Sequence, residues 1–506
     1  MAVVVSLIAG DLDWLRRAAE RQARFADLVE LRLDRIGNPG REALEACVAA
    51  VDKPLIATCK RTSEGGDFEG STDELLELLH TAAEAGFNFV DVDARLSLDL
   101  GEVPGKCHRI VSRHDLEGTP EDLALFHEEV VEVLYEGDLI KLVTHARTTE
   151  DGLRMLRLVR EVGGGLIGFC SGEAGSFTRV LAPIMGSPFT FAAPAALAGQ
   201  PIPERTAPGQ LRVGELRAAL PPGGVNPNTA IFGIVGNPVG GSWSPRVHGM
   251  TLKAAKLDAV YVSFEPTDFA QFLALATDPN YRGFSVTAPF KADAFRLAKT
   301  RDGTSEAVGA ANTLIREGEH WRAANTDVAG ARETLEQARR IHEQRTGREF
   351  AEGSIRTLVL GTGGAARAAI HAARVFEGSI AVAGRDAEKT RALAAELGVE
   401  AVELARVADH AYDVLVHTTT VGSLAQPDEM VVSDDAIRPD TIVLDAVYRP
   451  LKTPLLRAAH ARGCTAVPGG EWFVRQAGAQ FRLFTGADPD EGLMRAAFEH
   501  ALEEDS

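Results

Sequence analysis

The chain has 506 residues, 45% hydrophobic and 25% charged, and a formal net charge of −19 from 53 Lys and Arg against 72 Asp and Glu. That length exceeds one hydrophobic core and implies about two to four domains. The acidic balance argues against nucleic acid or an anionic membrane as a partner, and no run of about 18 apolar residues offers a membrane span. Residues 1–11 lack the basic region and long apolar core of a cleaved leader and read as a first strand. From there to about residue 220, short apolar strands alternate with amphipathic segments, with strands expected at 3–8, 27–33, 55–59, 88–93, 109–113, 139–144, 166–170 and 189–193. Eight strand-plus-helix units predict a (β/α)8 barrel, the TIM-barrel form of the α/β class.

Chemistry in such barrels sits at the carboxyl ends of the strands, where this sequence places Glu30, Arg32, Lys60, Arg61, His114 and Lys141. Lys141 is flanked by Leu139, Ile140, Leu142 and Val143, so a strand buried on both faces gives it no cheap route to water. Desolvation would favour its free amine, the form that attacks a ketone to make a Schiff base. A lysine snorkelling from a strand end is an equal reading of Lys141 alone. His114 on the preceding strand decides between them, because imine chemistry needs an adjacent acid/base group working near neutral pH. His108, His127 and His145 read as structural or surface residues.

Residues 220–229, LPPGGVNPNT, combine proline and glycine without apolar periodicity and predict a linker. A strand follows at 230–236, and then Ser242 and Ser244 precede Pro245. They either cap the next helix or offer two hydroxyls and a helix N-terminus to a carboxylate. The stretch 283–291 ends a strand with Thr287 and Lys291, while 309–313 and 325–327 supply Asn312 and Asp327. Residues 357–371 form an apolar strand, a G-x-G-x-x-A turn and an Ala-rich helix, the pattern of a dinucleotide-binding turn. Gly361 permits the turn, Gly363 removes a side chain where pyrophosphate must meet backbone N–H groups, Gly364 and Ala365 open the helix, and Ala366 lets it pack closely. A second strand at 379–383 ends in Gly384, Arg385 and Asp386 with Lys389 one turn on. An arginine there suits the 2′-phosphate of NADP, whereas Asp386 could instead hold the ribose of NAD. The five cysteines are scattered and never in C-x-x-C spacing, which makes a disulfide framework or zinc knuckle unexpected and the cytoplasm the default.

The motifs ELRLD, EGG, VSRHD, DLIKLVT, SFTR and TAPGQ appear over residues 1–220 in the order that resembles type I 3-dehydroquinate dehydratases. The resemblance implies that Lys141 forms the imine and His114 moves the proton. It also implies that Glu30, Arg32, Lys60, Arg179, Thr206 and Gln210 bind substrate, with Arg179 as carboxylate clamp. Lys60 stands where arginine is usual, with Arg61 as a possible substitute, and Thr206 where serine is common. Residues 230–500 resemble shikimate dehydrogenases, through the Ser242/Ser244 pair, the strand end at Lys291, the Asn312 and Asp327 segments, the NADP turn and the motif DAVYRP at 445–450. This implies a catalytic pair Lys291 and Asp327, with Ser242, Ser244, Thr287, Asn312, Tyr448 and Gln476 binding substrate. Gly361, Gly363, Gly364, Ala365, Arg385 and Lys389 would bind NADP. Gly241 stands where histidine is common, His417 where asparagine is usual, and Trp472-Phe473 replace a smaller pair.

The expected plan is a dehydratase barrel at 1–220, a linker at 221–229, an α/β substrate domain at 230–330, a Rossmann-type domain at 331–470 and returning helices at 471–506. The halves are expected to be separable at the linker. The implied function is dehydration of 3-dehydroquinate followed by NADPH-dependent reduction to shikimate, with small-molecule substrates, no metal and no oligomeric state specified. The alternatives are a sensor that binds quinate or shikimate and reports to transcription, and quinate dehydrogenase activity in the second half. Retention of Lys141, His114, Lys291 and Asp327 and the acidic charge weigh against the sensor.

Overall fold

In the computed structural model, which describes residues 1–351 and 353–505 with side chains through 502, strands and helices alternate as the apolar runs require. Glu352 of the expected Rossmann segment and Ser506 of the last segment lie outside the described residues. The first eight strands are β1 (Ala2–Ile8), β2 (Leu28–Arg32), β3 (Leu55–Thr58), β4 (Phe89–Asp93), β5 (His108–Asp115), β6 (Leu139–His145), β7 (Leu166–Ser171) and β8 (Phe189–Ala192). They run in the order β7-β6-β5-β4-β3-β2-β1-β8, parallel throughout. The two end strands meet inside through Phe169 and Phe191, 5.7 Å between ring centroids, so the ladder closes on itself as a barrel.

Side chains alternate across a strand, and the inward row changes character along it. Near the amino ends, Val4, Leu28, Ile56, Ile110 and Leu139 form an apolar plug. Two residues further on, the same row carries Ser6, Glu30, Thr58, Ser112 and Lys141, all buried. The plug excludes water from below and leaves the charged layer open only toward the carboxyl ends of the strands.

The chain divides into two units, residues 1–231 with 256–281 and residues 232–255 with 282–506. The segment 256–281 contains β10 (Ala259–Phe264) and the helix Phe269–Leu275, and it is held on the barrel helix Thr149–Val162 by buried polar contacts. Glu150 Oε1 accepts from the backbone N–H of Thr267 at 2.9 Å and of Asp268 at 3.0 Å, and from the Thr267 hydroxyl at 3.2 Å. Arg160 donates to Asp278 at 2.6 Å and Asn280 at 3.0 Å, while Phe177 meets Phe264 edge-on at 5.0 Å.

In the second unit, β9 (Ala230–Val235), β11 (Tyr281–Val286), β13 (Thr313–Glu317), β14 (His320–Ala324) and β12 (Thr300–Arg301) follow one another across a mixed sheet. A second sheet is wholly parallel, in the order β17 (Glu400–Glu403), β16 (Ile380–Gly384), β15 (Thr357–Leu360), β18 (Val414–His417), β19 (Ile442–Asp445) and β20 (Thr465–Val467). Apolar cores cover both faces of it, as a doubly wound sheet requires. The helices Asp327–Thr346 and Gly469–Thr485 cross closely at Gly330, where a Cβ would stand 2.9 Å from the Gln476 nitrogen. Trp472 Nε1 donates to the Asp327 carbonyl at 2.9 Å in the same crossing.

Candidate active sites

Lys141 lies in the charged layer of the barrel, 5% exposed, with its Nζ 4.2 Å from the centroid of the Phe191 ring. Its flanks are apolar as expected, but its ammonium is not stranded: it donates to Asp91 Oδ2 at 2.8 Å and lies 3.6 Å from Glu30 Oε1. The picture of a lysine surrounded only by apolar groups is therefore corrected. Asp91 also accepts from Lys60 at 2.6 Å and from Ser112 at 2.6 Å. Burial penalises the Asp91 anion, yet the Lys141 and Lys60 ammoniums outweigh it and hold the carboxyl far below its usual range. Asp91 escaped notice as an interior residue of an apolar run, although the alternation in Val90-Asp91-Val92-Asp93 puts both carboxylates on one face.

His114 enters the same cavity, its Nδ1 buried without a hydrogen bond. Burial, then the Lys60 and Lys141 charges, push its pKa well below the ordinary imidazole value, so the neutral ring is the resident form. Glu30 accepts from Ser6 and from Thr58 at 2.8 Å, and Arg32 pairs with Asp34, a second carboxylate that sequence reading missed. Lys60, not Arg61, supplies the charge after β3: its Nζ reaches Ser112 at 2.5 Å, whereas Arg61 turns away to Thr72 at 2.6 Å. Gln210 and Thr206 line the cavity tied together, Gln210 accepting from the Thr206 backbone at 3.0 Å.

Arg179 differs from the other cations of this cavity. It is 1% exposed, spreads over the Phe169 ring at 4.4 Å and donates to the Phe191 carbonyl at 3.2 Å, while its Nε finds no partner. Burial draws its pKa down to about 10. A guanidinium desolvated without a carboxylate is costly unless an anion completes it. His145 bonds Ser171 at 3.2 Å, which fits the structural role read for it.

The second cavity is lined by Ser242, Ser244, Thr287, Lys291, Asn312, Asp327, Tyr448 and Gln476, so every substrate-contacting or catalytic residue expected in this half comes together. Lys291 Nζ donates to Asp327 Oδ2 at 2.5 Å with both side chains mostly buried, which sets the pair apart from a surface bridge. Asn325 Oδ1 fixes Asp327 by accepting its backbone N–H at 3.1 Å. Asn312 donates to Thr326 at 2.9 Å and accepts the Thr326 N–H at 2.8 Å, which orients its amide. Ser242 Oγ accepts from the Ser244 backbone at 3.2 Å, so the serines serve the helix start and the cavity together. Gln480, one helical turn beyond Gln476, also lines the cavity and accepts from Ser285 at 2.8 Å; sequence reading missed Gln480.

A cleft beside this cavity is bordered by Lys291, Gly363, Gly364, Ala365 and Thr418. Gly361 has φ +125°, and a Cβ there would stand 2.5 Å from the Thr418 hydroxyl, so only glycine fits the turn. Open space lies where Gly363 would carry a side chain, and the helix Gly364–Ala373 has no side-chain cap. Bare N–H groups at a helix start facing a cleft suit a pyrophosphate. Asp386 caps the helix Ala387–Leu397, its Oδ1 accepting from the N–H of Glu388 at 3.1 Å and of Lys389 at 3.0 Å. Lys389 lies 3.7 Å from the same carboxylate. Arg385 is exposed at the rim of a separate cavity with Thr390 and Arg391. Among the described residues, no group of His, Cys, Asp and Glu could hold a metal ion, and no helix is long and apolar enough to cross a membrane.

A barrel cavity built on a buried lysine, and a lysine–aspartate cavity facing a dinucleotide turn, define an α/β enzyme with two active sites. Comparison with known proteins agrees for each part: the model of type I 3-dehydroquinase matches residues 3–225, and that of the shikimate dehydrogenase substrate binding domain matches residues 234–314. A chloroplastic bifunctional 3-dehydroquinate dehydratase/shikimate dehydrogenase of Arabidopsis thaliana is 31% identical over 478 residues, 91% of this chain and 78% of the relative. A shikimate dehydrogenase (NADP(+)) of Halobacterium salinarum is 38% identical over 276 residues, 54% of this chain and 99% of the relative. The solved dehydroquinate dehydratase and shikimate dehydrogenase of S. pombe AroM covers 98% of both chains at 22% identity and a TM-score of 0.43. The chain belongs to the family of bifunctional 3-dehydroquinate dehydratase/shikimate dehydrogenases.

Proposed function

We infer that this protein dehydrates 3-dehydroquinate to 3-dehydroshikimate in the barrel and reduces 3-dehydroshikimate to shikimate, with NADPH, in the second cavity. The observation that carries the reading is a barrel cavity that joins an amine, a neutral imidazole and a guanidinium without a carboxylate partner. Arg179 takes the substrate carboxylate and so presents the ring ketone to Lys141. Lys141 passes a proton to His114 and its free amine attacks the carbonyl carbon; the proton returns to the carbinolamine hydroxyl, which leaves as water, and the resulting iminium withdraws electrons from the adjacent C–H bond. Neutral His114 removes that proton. The electron pair then expels the β-hydroxyl, which takes the proton back from His114 and departs as water, and hydrolysis of the imine releases the enone product. Asp91, held as an anion, offsets the Lys60 and Lys141 charges and keeps both side chains in place.

In the second cavity bound NADPH would supply the hydride for the ketone carbon. The Gly361–Gly364 turn and the uncapped helix start hold its pyrophosphate, and Arg385 takes its 2′-phosphate. The Lys291 ammonium, paired with Asp327, lies where it can donate a proton to the oxygen that becomes a hydroxyl. Ser242, Ser244 and Tyr448 hold the carboxylate, and Asn312, Thr287 and Gln476 the ring hydroxyls. The boundaries at 221–229 and near 330 and 470, and a cytoplasmic setting, belong to the same reading.

The test is reduction with borohydride in the presence of 3-dehydroquinate, followed by peptide mass analysis. The expected increment lies on the peptide carrying Lys141. An increment on another lysine, or none while dehydration proceeds, overturns the barrel mechanism. Steady-state comparison of shikimate with quinate as reductants of NADP separates the assigned oxidoreductase activity from a quinate dehydrogenase.

A further inference from the structure

His417 is a buried titratable group that neither reaction uses, and both its ring nitrogens have partners. It ends β18, is 1% exposed, and its Nδ1 lies 2.8 Å from Asp445 Oδ1 at the end of β19. Asp445 also accepts from the Thr453 hydroxyl at 2.6 Å and from the Val447 N–H at 3.0 Å. A carboxylate already taking two hydrogen bonds fixes the ring proton on Nδ1. In the neutral ring Nε2 is then an acceptor; the Thr419 hydroxyl lies 2.5 Å from it, and the Thr419 oxygen accepts the Val421 N–H at 3.3 Å, which leaves one lone pair for a further donor. The neighbouring Thr418 is strapped to β15, its N–H donating to the Leu360 carbonyl at 2.9 Å and its hydroxyl to the same oxygen at 2.7 Å. The turn after β18 is thus pinned at two successive residues, on one side by the strand that carries the glycine turn and on the other by His417.

The sheet order says what this turn faces. A dinucleotide lies across the carboxyl ends of such strands, with its pyrophosphate at the glycine turn and its two nucleoside halves on opposite sides of it. Arg385 follows β16, on one side of β15; β18 and β19 lie on the other. If the arginine side takes the 2′-phosphate, the turn at Thr418 and Thr419 faces the nicotinamide half. We propose that His417 is a positioning residue for that half: by accepting the Thr419 hydroxyl proton it fixes the Thr419 oxygen as a hydrogen-bond acceptor for a ribose hydroxyl or the carboxamide N–H of the cofactor. The proposal rests on the NADP reading given above.

The test uses the full chain and two probes, NADP and adenosine 2′,5′-bisphosphate, which keeps the 2′-phosphate end and lacks nicotinamide. Affinities are read from intrinsic tryptophan fluorescence or calorimetry. Thr419→Val, which leaves the His417–Asp445 pair intact, should weaken NADP about tenfold, the loss of one hydrogen bond, with the bisphosphate unchanged. Thr419→Ser should restore NADP binding. In the unaltered protein, nitrogen NMR should find a proton on His417 Nδ1, and NADP but not the bisphosphate should move the Nε2 resonance. Equal weakening of both probes in Thr419→Val, or unchanged NADP affinity, overturns the positioning role. If the unaltered protein fails to bind the bisphosphate, the NADP reading falls and this inference with it.

Discussion

His114 sits among cations, and that decides how its activity should depend on pH. Burial and two ammoniums depress its pKa below the ordinary 6.5, so the base form persists as pH falls through that value and is lost only well below it. The acid limb of kcat/KM for dehydration, which reports the free enzyme, should therefore lie below the usual histidine range, and His114→Ala should lower kcat by about 10²-fold or more. A pH–rate profile of both proteins checks this. Asp91→Asn would leave two buried ammoniums without their shared anion. Breaking such a pair by one partner costs about 3–5 kcal/mol, so urea denaturation should show a loss of that order in the barrel. At the cofactor end, Asp386 is engaged as a helix cap, and Arg385 is the residue proposed to take the 2′-phosphate. Arg385→Ala should raise KM for NADP more than for NAD, and steady-state kinetics with both cofactors decides it.

At the scale of elements, the eight barrel strands were legible to within two residues at either end, because a strand covered on both faces must be a short apolar run bounded by polar turns. The fifth runs on to Asp115, past the expected end at residue 113, since His114 and Asp115 continue the ladder opposite Val143 and Thr144. What could not be read was the partnership between elements. Asp91 and Lys141 are 50 positions apart, and only closure of the barrel makes them a pair. Gln480 lies in a helix whose composition signals nothing, and it acquires meaning from Asn312, 168 positions away across the fold. The dinucleotide turn was legible for the opposite reason: its glycines are demanded locally, by a positive φ and a close approach, without help from distant residues.

At the scale of the molecule, the composition of 220–229 marks a connector, yet the barrel's unit takes in residues 256–281 from beyond it. A fragment ending at residue 224 would expose the helix face that carries Glu150 and Arg160 and leave Phe177 without Phe264. Free separability of the halves is therefore not what the packing favours. In the full chain, Glu150→Ala should destabilise the barrel by about 2 kcal/mol, the loss of hydrogen bonds to a buried carboxylate. The barrel in a 1–224 fragment should melt below the barrel in the intact protein, and thermal unfolding followed by dehydratase activity measures both effects.

The glycine turn has a second neighbour besides any phosphate. A Cβ on Gly364 would come within 3.0 Å of Lys291 Cδ, so the backbone proposed to receive the cofactor is also the wall against which Lys291, the proposed acid, rests. Binding and proton donation share one surface, and a defect there will disguise its origin. Gly364→Ala should shift Lys291 off Asp327 and lower kcat for reduction by about tenfold, with a KM for NADPH that moves much less, the signature of a lost transition-state contact. A change confined to the KM for NADPH would mean that the turn serves the nucleotide alone. Variation in a phosphate-binding loop would otherwise be read as a matter of cofactor preference; in this enzyme it also tunes an acid.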